Sequence, residues 1–218
     1  MPADAPPSTP GPASPQAPQS MLALGAALGS GAWWCDQLFT VAGGWVPETP
    51  EATVRAHLAE LSRVVGEHGV ALRRHLPRPT GTDPESWVTP PHPGSPGMVE
   101  ALVAVDGSTA RLASLHRVLV PRLLVAWEAH RTGASQADRG VARTLGHAHD
   151  DVAQLWHEGE GLLQAALGAD PEGIRAAASA SEAVETALVA SGGLLASPPD
   201  EPPTGNAPNL RPRPSRSP

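Results

Sequence analysis

From residue 20 to residue 191 the apolar positions recur three and four residues apart and rarely alternate with polar ones, which is the helical period. Val54, Leu58, Leu61, Val65, Leu72 and Leu76 form one stripe. Met98, Leu102, Val105, Leu112, Leu119, Leu123 and Trp127 form a second, and Leu145, Ala148, Val152, Leu155, Trp156 and Leu163 a third. Start signals flank these runs: Thr49-Pro50-Glu51, Ser95-Pro96 and Asp170-Pro171-Glu172 each set a capping side chain before a proline at a first helical position. Ser135-Gln136-Ala137-Asp138 has capping-box spacing. Gly43-Gly44, Pro77, Gly133 and Gly168 read as stops. The predicted helices are 20–43, 50–76, 96–131, 136–167 and 171–191. Pro121 lies inside the third and predicts a kink or split near His116–Val120.

Short links join helices 1–2 and 3–4, whereas the 2–3 link, 77–97, is long enough to cross a bundle end to end. Two antiparallel pairs joined by a crossover require that pattern. The predicted fold is therefore all-α, a four-helix bundle with a long 2–3 crossover plus a short peripheral fifth helix. Trp87 within the link is the expected anchor onto the helices. The 26 prolines fit this plan, since seven lie in 1–20, seven in 77–97 and eight in 198–218. Residues 1–19 and 192–218 are accordingly expected to be disordered Pro-rich tails around one domain, 20–191.

Charge and cysteine content narrow the function. A formal charge of −7, with Arg and acid interspersed, argues against a nucleic-acid partner. The single Cys35 excludes a disulfide framework and Cys-based zinc or iron–sulfur sites. The N-terminus lacks the basic region of a signal peptide, and no apolar run reaches membrane-spanning length, so the expectation is a cytoplasmic protein without membrane contact. Helix 1 is apolar almost all round and carries Trp33 and Trp34, with Trp45 at its exit, which points to a homodimer through this Trp-rich helix. The basic, Pro-rich tail RPRPSRSP is a candidate protein-binding segment.

Nine histidines are the chemical feature left over. Projection at about 100° per residue puts His116 at the centre of its stripe and His130 on the same side. His57, His68 and His75 fall on a flank of helix 2, and His149 on the edge of helix 4. His147, Asp150 and His157 project outward. Histidine is a common metal ligand, so a mid-bundle site would combine His68, His116 and His149 with Asp36, Glu67 and Asp151. A buried histidine with one satisfied ring nitrogen is the structural alternative for each.

The helix-pair, crossover, helix-pair order and the segments GGWVPETPEATVRAHLAELSRVVGEHGVALRRHLP and ARTLGHAHDDVAQLWHEGEGLLQ resemble the ferritin-like superfamily. The resemblance covers about 20–167 and is to actinobacterial, oxygenase-type members similar to tRNA-modifying hydroxylases. It implies a bundle whose helices hold two irons through two Glu and two Glu-x-x-His pairs. This chain has no Glu-x-x-His or Asp-x-x-His: Val65 stands where the acid before His68 would be, and Gln154 follows Asp151 in place of His. Asp36, His68 and Asp151 are the counterparts that remain, with His116 at the depth of an expected Glu.

The leading expectation is a ferritin-like bundle without a conventional di-iron site, acting as an interaction or regulatory module. The alternative is an oxidoreductase or hydroxylase holding iron or another divalent metal at Asp36, Glu67, His68, His116, His149 and Asp151. A third is a metal-free binder whose inward histidines contact an acidic or aromatic ligand.

Overall fold

The computed structural model of the chain describes residues 20–169 and 171–194, and its regular elements there are all helical. The predicted tail 1–19, and 195–218 of the second, lie outside the described residues. Helix α1 spans Met21–Trp45, α2 Ala52–Arg73, α3 Ser95–Val103, α4 Ser108–Ala113, α5 Val120–Thr132, α6 Arg139–Ala169 and α7 Pro171–Ser191. A π-helical turn, Ser114–Leu119, joins α4 to α5. Among the described residues no helix is long and apolar enough to cross a membrane.

Helices α1 and α2 are antiparallel neighbours. The Ser62 hydroxyl donates to the Phe39 carbonyl at 2.8 Å, and three turns further along Arg73 of α2 pairs with Asp36 of α1. Small residues allow this approach, with Gly69 set against Cys35. Helix α6 meets α2 along its length, from His75 against Thr144 at one end to His57 against Gly159 at the other. It also lines the π turn and α5, where Arg117 pairs with Glu160 at 3.2 Å. Leu28, Leu58, Leu61, Leu72, Leu119, Leu145 and Leu163 fill the space between these helices and are essentially inaccessible. Helix α7 packs mainly on α3 and α4.

The crossover is anchored as expected. The Trp87 ring lies on the small face of α1, where a Cβ on Gly25 would come 2.5 Å from its Cε3, and the Trp87 carbonyl lies against Gly29. The Trp87 indole N–H donates to the Pro77 carbonyl at 3.1 Å, tying the middle of the link to its start.

Three boundary expectations are corrected. Gly43-Gly44 does not stop α1, which runs on to Trp45 because that buried indole is held under the Arg111 guanidinium, 5.3 Å from the ring centre. Thr49 does not cap α2. Its hydroxyl donates to the Trp45 carbonyl at 2.8 Å, closing the end of α1, and α2 starts after Glu51. The third predicted helix is not continuous: it breaks at Ala104–Gly107, where Gly107 has φ of 85°, a conformation a side chain would oppose. Pro121, expected to kink or split the helix near His116–Val120, follows a π-helical turn at Ser114–Leu119 that separates α4 from α5.

Trp34 and Trp45 are buried within the chain, and Trp33 stacks edge-on against Trp34 at 4.8 Å. The apolar character of α1 is thus largely used inside one protomer. Phe39, Met21 and Leu22 are what it leaves exposed.

Candidate functional site

The six expected metal ligands do not converge. Asp36 is paired with Arg73, and Glu67 takes the Arg63 guanidinium at 2.5 Å on the exposed face of α2. His68 meets Asp151, Nε2 to Oδ2 at 3.0 Å, the one couple among the six that is in contact. His149 turns to its neighbour Asp150 at 3.1 Å. His116 faces His57 instead of any of the other five. Among the described residues no group of three or more His, Cys, Asp and Glu side chains is arranged to hold a metal ion. Asp36 and Glu67 are each paired with an arginine, whereas Asp151 lies against His68.

What the structure builds is a buried histidine pair. His57 of α2 and His116 of the π turn face each other through their Nε2 atoms at 3.0 Å, so one ring donates and the other accepts. Burial, then the neighbouring His57, pushes the His116 pKa down to about 3. Burial also lowers that of His57, against the opposing pull of the Glu158 carboxylate. Both rings are neutral at pH 7, and the pair shares a single proton between the nitrogens.

The local sequence explains how two rings fit there. A Cβ at Gly159 of α6 would collide with the His116 ring and lie 2.6 Å from His57 Nε2, so only glycine leaves the room. The π turn aims His116 inward. In it the Val120 N–H donates to the Leu115 carbonyl, one residue further back than in an α-helix. The His116 carbonyl would then need an N–H at position 121, which is proline and has none. The Trp156 indole N–H of α6 supplies the missing donor at 2.6 Å. His57 opens onto a surface depression lined also by Thr53, Glu60, Glu158 and Leu162.

A second interior feature lies between α1, α5 and α6, a cavity of about 200 Å³ lined by Leu28, Gly31, Trp34, Trp127, His130 and Leu145 among others. The sequence reading put His116 and His130 inside; it placed His57 on a flank and left it out of the ligand set. Cys35 adds no nucleophile, because burial pushes its thiol up to about 12.

Comparison with protein-family models, curated proteins and solved structures gives no match. Function therefore has to be argued from the residues above.

Proposed function

We propose that this chain is a ferritin-like four-helix bundle that has lost the di-iron ligand set and serves as a non-catalytic binding module, an interaction or regulatory protein of the cytoplasm. The bundle reading draws on the antiparallel α1–α2 pair, the long link after α2, the packing of α6 on α2 and α5, and the outlying α7. One observation carries the functional reading: the acids expected to bind metal are engaged by Arg63, Arg73 and His68, each at a separate place. A carboxylate already paired with a guanidinium must lose that pair before it can ligate, and among the described residues no common centre compensates.

The oxidoreductase reading is favoured by one different observation, the facing Nε2 atoms of His57 and His116 with Glu158 near His57. A metal reading would have to use these residues and abandon the expected six. A homodimer through α1 would likewise have to use Phe39, Met21 and Leu22, since Trp34 and Trp45 are buried in the chain.

Ferrous iron added to the full chain in air tests the proposal. The expected result is iron oxidation no faster than in buffer. Oxidation that is saturable with protein, and lost in His57→Leu, would overturn it in favour of the metal reading.

A further inference from the structure

The cavity between α1, α5 and α6 presents two buried polar atoms that no group among the described residues satisfies: the Trp127 indole nitrogen and His130 Nε2. Trp127 is 3% exposed, so water outside the protein does not reach its N–H. A buried donor left without a partner costs about 1–3 kcal/mol, which makes such a pair uncommon in a purely structural core. The two residues are three apart on α5, so their side chains lie on one helix face, and both border the cavity.

The remaining lining sets the ligand's character. Leu28, Leu72, Leu123 and Leu145 make the walls aliphatic, and among the described residues no Arg, Asp or Glu side chain lines the cavity. His130 is uncharged at neutral pH because burial lowers its pKa, against a weaker opposing effect of Asp138. A carboxylate would find no cation there. Size is equally informative: an apolar cavity of roughly 150 Å³ accommodates benzene, so about 200 Å³ suits one ring with a short substituent. One water would satisfy the two nitrogens and leave most of that volume empty.

We propose that this cavity binds a small uncharged molecule of about one ring, whose single hydroxyl or carbonyl oxygen is held between the Trp127 N–H and His130. A hydroxyl suits both groups, accepting from the indole and donating to an unprotonated imidazole nitrogen. Gly31 of α1 keeps the space open. A Cβ there would lie 3.4 Å from Leu72 Cδ1 and 3.9 Å from Trp127 Nε1, near ordinary contact, so the position can be filled without forcing the helices apart. The inference goes beyond the binding-module reading and does not depend on metal chemistry, so its failure is distinguishable from an outcome with iron.

The test is calorimetric titration of the full chain with benzyl alcohol, toluene and benzoate. Benzyl alcohol should bind one per chain, toluene about fivefold more weakly for want of the polar contact, and benzoate not measurably. Trp127→Phe, which keeps an aromatic ring and removes the N–H, should bring benzyl alcohol down to the affinity of toluene. Gly31→Leu should abolish binding of both. Gly31→Ala, the gentler substitution, should weaken both while circular dichroism and the melting temperature report an intact fold. Equal affinity for benzyl alcohol and toluene, no binding of either up to its solubility, or unchanged binding in folded Gly31→Ala protein would overturn the proposal.

Discussion

His116 takes up a proton in the folded chain only near pH 3, against 6.5 for a free imidazole. Between those values the unfolded chain binds more protons than the folded one. Stability is therefore full above pH 6.5 and declines as the pH falls toward 3. Burial lowers His57, His68 and His130 in the same direction, so their contributions add. The urea midpoint should drop steadily from pH 7 to pH 5, before most carboxylates titrate. His116→Gln should flatten that slope, and an unchanged slope would mean that the pair is not buried as a neutral couple. Glycine gives a second residue-scale contrast. An exchange of Gly for Ala inside a helix ordinarily gains about 0.5–1 kcal/mol. At Gly161, where nothing lies within 4 Å of an added Cβ, thermal unfolding should show that gain. At Gly159 the same exchange drives a methyl into both histidine rings and should instead cost about 1–3 kcal/mol. Two substitutions two residues apart, with opposite signs, separate close packing from helix propensity.

At the scale of elements, the π turn and α6 form one unit. The Trp156 indole serves the His116 carbonyl because Pro121 cannot. Trp156→Phe should cost about 1–3 kcal/mol in chemical unfolding. In a Pro121→Ala background, position 121 gains an N–H, the carbonyl recovers a backbone donor, and the same Trp156→Phe exchange should cost clearly less. Equal costs in the two backgrounds would dissociate the indole from the proline. Helix existence and order are legible from the spacing of leucines and valines, and the bounds of α7 match the predicted 171–191. Boundaries were less legible where a side chain served a neighbour: Thr49 closes α1 instead of opening α2. The break at Gly107 was hidden because Val105 and Leu112 continue the stripe across it.

For the molecule as a whole, helical projection found the central histidine but could not find its partner. Periodicity reports which side of a helix faces inward; it does not report which opposite residue is small enough to admit two rings, and Gly159 decides that. The expected acids failed for a related reason. Arg63 and Arg73 lie one turn or one helix away from Glu67 and Asp36, and only the assembled packing shows that they claim them. Two prolines of the described residues stand at element boundaries, Pro77 in the link after α2 and Pro171 opening α7. The described residues hold the expected acids and His116 in separate pairs, with no shared metal centre among them. Elemental analysis of the full chain, purified without an affinity tag, tests this most directly. Iron, zinc and manganese should each stay well below one per chain, unchanged in His57→Leu and His68→Leu. A stoichiometric metal that survives dialysis and disappears with either histidine would contradict it.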